Sequence, residues 1–525
     1  MKRVLLFCLL SASFCSRADF TLDRSVMSDA YRKIWSEELL KKLDDNIAKY
    51  RMADKEVELE GVAAGTEVRV EQIDHAFFFG AHIFNYNQLG KKEWNDRYKE
   101  LYGTLFNSAT VAFYWRTLEP HPFAPRFLED YRDTEEFWSR CEKPEWEPHW
   151  RRPAIDPVVD FLKMRNVRIH GHTLVWGEKS GGMPEWLWDN FCPVREKRAL
   201  EDASGVKIPR RDFKDRDPMQ LRTHAKRWYA AWKQVYAKLS EDEIAKCVPT
   251  YIAALESLYE RRVRLIAERY GSRIESWDVV NESASDFDEY FGSAAVRNKA
   301  FDKSHYGPMP ADYAHKAFVW AQKYLPRMSI LNINDYNMPA MVRQVNDLFL
   351  HGARIDVVGS QMHLFDPEAS RRIAEGNIPK HLLPENLDEM FRLISQANRP
   401  IHLSEVTITA PDSSERGQMI QAVIMSDLYR AWFSVELMCG ITWWNVVDGC
   451  GWAGEPSTSG LFSRDMKPKA AYYAMDDLVN RQWKSDLRLR TGEGGRLEFR
   501  GFRGRYRLSW KDPGGAERSL NVDVR

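Results

Sequence analysis

Eight short runs rich in apolar, β-branched and aromatic residues recur along this chain, and helical patterns separate most of them. In chain order, the runs are 77–84, 108–114, 167–176, 276–282, 329–336, 354–364, 400–408 and 440–448. The helical patterns include 156–165, 311–324, 341–351, 387–397 and 417–433. Alternating strands and helices favour a parallel sheet, and eight such units predict a closed (β/α)₈ TIM barrel. An open, doubly wound sheet is the alternative, but no glycine-rich phosphate-binding loop follows the first run.

Two of the intervals between runs, residues 121–150 and 190–245, are longer than a crossover helix requires. They are rich in charged and aromatic residues, and we interpret them as insertions within a barrel that extends over residues 76–480. Insertions in this fold tend to lengthen the loops at the C-terminal ends of the strands, where active sites lie. They are therefore expected to shape a cleft, with inert surface loops as the alternative.

Both ends of the chain depart from the barrel pattern. In residues 19–75, apolar residues spaced by three and four predict a helix over 29–50. Alternating runs at 56–60 and 67–73, around Ala64 and Gly65, predict a β-hairpin. Residues 481–525 predict a small all-β module that packs against the barrel or binds sugar. Its strand-like runs are 487–489, 496–499, 506–510 and 520–524.

The first 18 residues predict a signal peptide, so the protein is expected to be secreted or periplasmic. Lys2 and Arg3 precede the apolar run 4–10, and the sequence before residue 19 suits cleavage after Ala18. This run is too short to span a bilayer, and no later segment has the roughly 20 apolar residues that a spanning helix needs. Of the remaining cysteines, at most Cys439 and Cys450 are expected to form a disulfide.

The charge balance argues against one class of function. The 76 basic and 76 acidic residues cancel, and the sequence has no basic stripe of the kind that binds nucleic acid. The 19 Trp and 21 Tyr residues are numerous, and such rings form platforms in sugar-binding clefts, although most pack in cores. No sequence feature calls for a metal or an organic cofactor, and a monomer is the default expectation.

Two carboxylates stand at the ends of predicted strands. Glu282 ends the fourth run, and Glu405 lies in the seventh. A carboxylate among apolar strand residues costs free energy unless it is paired or functional, and either one alone is as readily a structural ion pair. Two of them at one face of a barrel fit glycosidic bond hydrolysis, in which one carboxyl group protonates the leaving oxygen. The other attacks the anomeric carbon or activates water.

Polar neighbours strengthen this interpretation. Asn281 precedes Glu282 and is placed to donate a hydrogen bond to a sugar hydroxyl. His363 closes the sixth run, one strand before Glu405, where it is expected to orient that carboxylate. The sequence therefore predicts a pair of catalytic carboxylates with polar supports.

Two other functions are compatible with these residues. His170, His172 and His363 could meet as ligands of a metal-dependent hydrolase, because His170 and His172 point to one face of their strand. The metal-site hypothesis leaves Glu405 and the tryptophans unexplained. Loss of activity in the presence of a chelator would support it. The barrel could also be a non-catalytic sugar-binding protein, since a fold does not fix a function.

The order of the motifs resembles glycoside hydrolase family 10, the family of endo-β-1,4-xylanases. The resemblance extends over about residues 77–478. It is carried by His172-Thr173-Leu174-Val175-Trp176, Trp277 to Glu282, Asn334-Asp335-Tyr336-Asn337, Gln361-Met362-His363, Leu403-Ser404-Glu405, Trp444, Trp452, and the stretch from Leu461 to Tyr472.

The resemblance implies a retaining mechanism with Glu282 as acid/base and Glu405 as nucleophile, roughly 5 Å apart. It implies that Asn281, Gln361 and His363 support them. Further residues would line the sugar subsites: His172, Trp176, Tyr336, Trp444 and Trp452. The implied partner is a plant cell-wall polysaccharide, namely xylan, with another β-1,4-glycan or short oligosaccharides as alternatives.

Two departures from the family pattern fall close to the expected cut. After the second strand, the family usually has a Glu-Asn pair and a Lys that hold the sugar on the non-reducing side. Residues 111–116 contain no such pair. Arg116 in place of the Lys and Trp115 as a stacking face are the candidates for this role. The His that usually follows the strand-three Trp is Gly177. Both departures leave the reaction class intact and the substrate open.

Overall fold

The computed structural model describes residues 20–525 except 177–182, 185, 211–223, 225–226, 229, 233, 236, 285–312, 452–454 and 456. The predicted signal peptide, residues 1–18, lies outside the described residues. Within the described ranges, no helix is both long enough and apolar enough to cross a membrane.

The predicted (β/α)₈ barrel is confirmed. Strands β3 to β10 form a closed parallel barrel in chain order, and β10 returns to pair with β3. The strands are β1 (Met52–Glu58), β2 (Glu67–His75), β3 (Phe78–His82), β4 (Ser108–Ala112), β5 (Arg168–Trp176), β6 (Ser276–Asn281), β7 (Ile330–Asp335), β8 (Val357–Leu364), β9 (Ile401–Ile408), β10 (Met438–Trp443), β11 (Asp486–Arg490), β12 (Arg496–Phe502), β13 (Gly504–Lys511) and β14 (Glu517–Val524). Seven of the eight predicted runs contain one barrel strand each, and the eighth overlaps β10.

Helices separate most of the barrel strands. The α-helices of the described residues are Asp29–Ile34, Glu37–Arg51, Lys92–Glu100, Trp115–Leu118, Glu135–Arg140, Ile155–Met164, Trp186–Phe191, Val194–Ser204, Glu241–Cys247, Pro249–Tyr270, Tyr313–Tyr324, Met338–Leu350, Pro367–Ala374, Pro384–Ser395, Glu415–Phe433 and Ala470–Asp477. The helix predicted over 29–50 is divided at Trp35 and Ser36. Ser36 caps the second helix by accepting a hydrogen bond from the Leu39 amide, a role that serine fills well.

The barrel strands are buried on both faces, which explains why the sequence shows continuous apolar runs there. All eight residues of β9 are buried, including Glu405. In a parallel barrel, one face of each strand packs inside and the other packs against helices. A carboxylate in such a strand is therefore held away from bulk solvent, except where the strand ends.

The two ends of the chain build one β module, and the predicted N-terminal hairpin is wrong. β1 pairs with β12, and β2 lies between β11 and β13, all antiparallel. Alternate residues of these strands form a separate core: Val57, Leu59, Val68, Val70, Leu497, Phe499, Tyr506, Leu508 and Val524. Alternation in the sequence marks one buried face on each strand, but it does not specify which strand pairs with it.

Both predicted insertions follow the C-terminal ends of barrel strands. Residues 121–150 lie between β4 and the helix Ile155–Met164, and residues 190–245 lie between β5 and the helix Pro249–Tyr270. The topology therefore attaches them to the face where side chains at the strand ends converge.

The one disulfide considered from the sequence is not formed. Cys439 and Cys450 are both free, as are the other described cysteines. Cys439 lies near the start of β10, and Cys450 follows its end. A strand advances about 3.3 Å per residue, so the length of β10 keeps the two residues apart.

Leu508 tests whether the shared β module contributes to stability. The side chain is fully buried, so Leu508→Ala should lower the free energy of unfolding by about 2–5 kcal/mol, because it leaves a cavity. Leu350→Ala is the matched control, since Leu350 is 82% exposed and its truncation should change stability by less than about 0.5 kcal/mol. Urea denaturation followed by circular dichroism measures both. Equal effects would contradict a packed module core.

Candidate active site

A cavity of about 460 Å³ opens at the C-terminal ends of the barrel strands. Nine of the ten site residues predicted from the sequence line it: His172, Trp176, Asn281, Glu282, Tyr336, Gln361, His363, Glu405 and Trp444. The tenth, Trp452, lies outside the described residues, as does Gly177. Other residues of the same lining were not predicted: Phe84, Tyr114, Arg151, Arg152, Phe365 and Glu455.

Glu282 follows β6 in a left-handed backbone conformation, with a φ angle of 57°. This conformation costs a non-glycine residue about 1–3 kcal/mol and persists where the surroundings enforce it. Here the Glu282 amide donates to the Asn334 carbonyl at 2.7 Å. The side chain lies in the cavity and receives hydrogen bonds from Trp176 Nε1 at 3.3 Å and Gln361 Nε2 at 3.1 Å. Both carboxylate oxygens of Glu282 are thus fixed by donors.

Glu405 is 6% exposed and lies among three donor-type side chains. Asn334 Nδ2 donates to Glu405 Oε1 at 2.9 Å, and His363 Nε2 lies 3.4 Å from Oε2. His172 Nε2 is 3.9 Å from Oε1. The ring of His363 is held in turn by Thr407, whose Oγ1 lies 2.9 Å from Nδ1. The structure therefore contains the contact between His363 and Glu405 that the sequence predicted.

Three side-chain amides connect the two carboxylates. Asn281 Oδ1 accepts hydrogen bonds from Asn334 Nδ2 at 2.7 Å and from Gln361 Nε2 at 3.4 Å. The amides that bind Glu405 and Glu282 therefore also meet at one atom. Because Oδ1 of Asn281 is occupied by protein donors, Nδ2 is the group left to donate to a ligand in the cavity. Asn334 was not predicted as a site residue, although its position at the end of β7 carried the same signal as Glu282.

Register shifts near the strand ends aim these side chains. Between β8 and β9, Ser360 pairs with Leu403 but Gln361 pairs with Glu405, so Ser404 is the extra residue. Between β6 and β7, Val279 is extra, two residues before Asn281. A one-residue slip turns the following side chains to the other face of the sheet, and such bulges are common beside active sites.

A buried carboxylate, Asp278, organises the histidines below the cavity. Its Oδ2 lies 2.9 Å from His170 Nε2 and 2.8 Å from His172 Nδ1. Burial alone would raise the pKa of Asp278, but the neighbouring histidines hold it well below its usual value. Burial alone would lower the pKa of His172, but the hydrogen bond to Asp278 and the negative charge of Glu405 outweigh it and raise that pKa. His172 therefore stays protonated to a higher pH than a free histidine.

The cavity wall beside β4 differs from the expectation. Trp115 is 2% exposed and donates to Glu119 at 2.9 Å, and neither Trp115 nor Arg116 lines the cavity. Both proposed replacements for the family's polar residues are therefore wrong. Tyr114 faces the cavity instead, with its ring 5.3 Å from His172 and 5.2 Å from Trp176. The Trp115 ring packs into the core instead, with its centre 6.3 Å from that of Trp186 and 4.6 Å from that of Tyr259.

Two consecutive arginines complete this wall. Arg151 and Arg152 are 1% and 8% exposed, and they end the long connection that follows β4. Arg151 Nη1 lies 3.6 Å from Glu455 Oε1, and the Arg152 guanidinium lies 3.8 Å from the Tyr114 ring centre. Burial lowers the pKa of Arg152 to about 10, so this group is still cationic at neutral pH. Sequence periodicity could not find these residues, because a loop path rather than a strand brings them here.

The three histidines of the metal-site alternative face carboxylates rather than one shared ligand position. His170 and His172 contact Asp278, and His363 contacts Glu405, which His172 approaches only at 3.9 Å. Within the described part of the chain, the trio of ligand-type side chains with atoms within 4.8 Å of one another is elsewhere. It consists of Asp130, Asp133 and His149, in the connection after β4, and Arg126 already binds Asp133 at 2.8 and 3.0 Å.

Comparison with known proteins shows that a large part of the chain matches one protein family. The model of "Glycosyl hydrolase family 10" matches residues 208–478, which are 271 of the 525 residues. This match contains β6 to β10 and both carboxylates, and it leaves out the first three barrel strands. The departures beside β4 therefore lie outside the matched region.

Two relatives have names that describe glycan-cleaving enzymes. "Endo-1,4-beta-xylanase C" of Paenibacillus barcinonensis is 26% identical over 416 residues, which cover 73% of this chain and 29% of that protein. "Exoglucanase XynX" of Acetivibrio thermocellus is 23% identical over 338 residues, which cover 61% of this chain and 24% of that protein. The chain thus spans less than a third of either relative. The crystal structure of native xylanase 10B from Thermotoga maritima, 19% identical, aligns with 78% of this chain and 96% of that chain at a TM-score of 0.49.

The charge on His172 predicts a pH-dependent stability. A group whose pKa is raised by folding stabilises the protein below its unfolded pKa, and this contribution is lost as the pH rises through the folded pKa. The loss of unfolding free energy caused by His172→Gln should therefore shrink as the pH rises from about 7, just above the ordinary pKa of histidine. Urea denaturation at each pH measures it.

His402→Gln is the control for this experiment. Burial, followed by the charge of His170, lowers the pKa of His402 to about 3, so His402 is neutral in the folded protein. The effect of His402→Gln should stay constant over the same pH range. A constant effect of His172→Gln as well would show that folded His172 is neutral there.

Proposed function

The chain belongs to glycosyl hydrolase family 10, and on this premise we propose that it is a retaining endo-1,4-β-xylanase that cleaves β-1,4-xylosidic bonds in xylan. The observation that carries the proposal is the placement of Glu282 and Glu405 in one cavity, connected through a set of side-chain amides. The name of the Paenibacillus relative supports the choice of xylan.

In the first step, Glu405 attacks the anomeric carbon and Glu282 gives its proton to the glycosidic oxygen. The bond between that carbon and oxygen breaks, and a covalent glycosyl-enzyme forms. Trp176 and Gln361 have only N–H donors directed at Glu282, so they stabilise the carboxylate that appears when its proton leaves. Asn281 Nδ2 is the donor for the sugar 2-hydroxyl, a hydrogen bond that strengthens in the transition state.

In the second step, Glu282 acts as a base. It takes a proton from water, the water oxygen attacks the anomeric carbon, and the bond to Glu405 breaks. Two displacements on opposite faces of the sugar return it with its original anomeric configuration. Asn334 and His363 hold the Glu405 carboxylate as it leaves, which restores the starting geometry.

A different β-1,4-glycan, or short oligosaccharides, is the second substrate proposal. One observation favours it: Tyr114 and Arg152 occupy the wall where the family pattern has other polar residues. A wall with an aromatic ring and a guanidinium presents a different shape and different donors to the sugar on that side. The name of the Acetivibrio relative, an exoglucanase, is in keeping with this alternative.

We also propose that the enzyme is exported and meets its polymer outside the cytoplasm. The basic start and the apolar run at residues 4–10 support this part of the proposal.

Replacement of each carboxylate by its amide tests the assigned roles. Glu405→Gln should lower kcat on xylan by more than about 10⁴-fold, because no nucleophile remains. Glu282→Gln should lower kcat on xylan by about 10²–10⁴-fold. It should lower the rate of the glycosylation step with an aryl xyloside far less, because that leaving group needs no proton. Product release, and the anomeric configuration of the first product by NMR, measure these outcomes.

Glu415→Gln is the matched control, since Glu415 is exposed at the start of the helix Glu415–Phe433. It should leave activity unchanged. Xylan, arabinoxylan, cellulose and mixed-linkage glucan are assayed side by side. Cleavage of glucans alone would replace the substrate and keep the mechanism, whereas sugar binding without any cleavage would make the barrel a binding protein.

Tyr114 tests the wall beside β4. Its side chain lines the cavity, and its hydroxyl forms no hydrogen bond with any described residue. If that hydroxyl binds a sugar, Tyr114→Phe should remove about 0.5–1.5 kcal/mol and lower kcat/KM about 3- to 10-fold. Tyr429→Phe, buried in a helix away from the cavity, is the control and should have no such effect. Unchanged kcat/KM in Tyr114→Phe on both xylo- and cello-oligosaccharides would refute the contact.

A further inference from the structure

A second cavity, of about 590 Å³, lies at the opposite end of the barrel, in the seam with the β module. The barrel contributes Asn107, Arg168 and Glu275, at or just before the starts of β4, β5 and β6. The module contributes the end of β2 and two residues of β13, Arg505 and Arg507. Because Glu282 and Glu405 lie toward the other ends of their strands, this seam cleft is separate from the catalytic cavity.

The seam cleft is strongly basic. Asp74 and Glu275 are its only carboxylates among the described residues. The cationic residues that line it are Lys163, Arg165, Arg168, Lys484, Arg505 and Arg507. The whole chain has equal numbers of basic and acidic residues, so this is a local excess rather than a property of the composition. A concave surface with one sign of charge focuses its potential and attracts ions of the opposite sign.

Both carboxylates of the cleft are already paired. Asp74 Oδ2 lies 2.7 Å from Arg168 Nη2. Glu275 forms an ion pair with Lys163 and also accepts a hydrogen bond from a backbone amide. The two carboxylates therefore neutralise two of the six cations in the cleft.

The other cations remain largely unpaired. Arg505 reaches Asp523 only at 3.7 Å. Arg165, Lys484 and Arg507 form no ion pair with any residue that the structure describes. The cleft thus keeps a positive charge of about three that the described protein residues do not neutralise.

Two acidic residues on the neighbouring module surface form no ion pair with these cations. Glu71 and Asp486 both bind Arg69, at 3.1 and 2.9 Å. Neither lines the cleft. Glu71 stands opposite Arg507 in the strand register, and the charge of Lys484 also acts on Asp486, but neither carboxylate forms an ion pair with these two cations.

One buried hydrogen-bond donor in the cleft also lacks an acceptor. Arg168 Nη2 is satisfied by Asp74 and by the His75 carbonyl at 2.9 Å, but Nη1 is buried and has no hydrogen-bond partner among the described residues. A buried N–H without a partner is unfavourable, and an anion within reach of this guanidinium would supply an acceptor. Burial, with the charge of Arg168 next, also lowers the pKa of His75 in this cleft to about 3. Lys484 also contributes to this lowering, so the charges of two cleft cations act on His75.

We propose that the seam cleft binds carboxylate groups of an anionic polysaccharide, such as uronic acid residues borne on a xylan chain. Guanidinium groups match carboxylates in a two-pronged geometry, which favours this anion. The choice of a polysaccharide as the bearer of the carboxylates rests on the proposed function.

Charge, and not ring stacking, decides what this cleft binds. Phe79 and Phe106 line it but are 3% and 1% exposed, so they offer no face to a sugar ring. A neutral glycan should therefore not bind there. A second attachment point on the same polymer would raise the effective concentration of its bonds at the catalytic cavity.

The test uses the full chain carrying Glu405→Gln, so that ligands are not consumed. Isothermal titration calorimetry compares xylotetraose with one glucuronic acid substituent, unsubstituted xylotetraose and inorganic phosphate. The acidic oligosaccharide should show one site more than the neutral one. This extra site should weaken about tenfold or more when salt rises from about 50 to about 500 mM.

Charge variants locate that extra site. Adding Lys484→Gln and Arg507→Gln, both at exposed positions, should weaken the extra site at least about tenfold and leave the site shared with the neutral oligosaccharide unchanged. Lys484→Arg with Arg507→Lys should preserve it. Arg488→Gln, on β11 with a side chain 76% exposed and outside the cleft, is the matched control.

Each outcome decides the proposal. Equal binding of neutral and acidic oligosaccharides, or an extra site indifferent to the two glutamines, overturns it. Phosphate binding that depends on these residues, without binding of the acidic oligosaccharide, leaves an anion site and overturns the polysaccharide assignment. If the acidic oligosaccharide binds at the extra site but the protein with Glu405 intact cleaves no glycan, the seam cleft is supported and the proposed function is refuted. The two failures are therefore distinguishable.

Discussion

Closure of the barrel by the pairing of β10 with β3 is the constraint on which the site depends. At this seam Gly440 pairs with Phe78, and a side-chain carbon at Gly440 would lie 2.8 Å from the Phe78 Cβ. A side-chain carbon at Gly80 would similarly lie 2.9 Å from Thr442 Oγ1. Glycine therefore permits the first and last strands to approach. Once the ring is closed, the ends of β6 and β9 face one another across a single mouth, which brings Glu282 and Glu405 into one cavity.

Within that mouth, neutral side-chain amides help to hold the two carboxylates in position. A buried carboxylate is tolerated when donors replace its water, and Asn334, Gln361 and Trp176 supply such donors. Since Asn281 joins the two amides, a displacement of either carboxylate disturbs the support of the other. The left-handed backbone at Glu282 belongs to the same arrangement, because strain of this kind persists only where the surroundings fix the residue.

The two ends of the chain act together at the other face of the barrel. β2 enters the barrel through β3, and β11 to β14 follow the last barrel helix, so the module they build lies where the barrel strands begin. The basic seam cleft arises from this return, since half of its cations come from the module side and half from the barrel. The barrel thus separates a mouth that holds the reacting carboxylates from a seam that carries positive charge.

The sequence by itself determined the eight strands and the two carboxylates, because strand periodicity and strand-end position are local properties. Tertiary structure decided the rest. The bulge at Ser404 sets which face Glu405 occupies, and the partner of β1 is β12, more than 400 residues away. The wall of Arg151 and Arg152 depends on a loop that returns to the cleft, and Trp115 packs inward against rings from later segments of the chain. Pairing partners, loop paths and strand register are set by contacts between distant segments, and a one-dimensional pattern does not contain them.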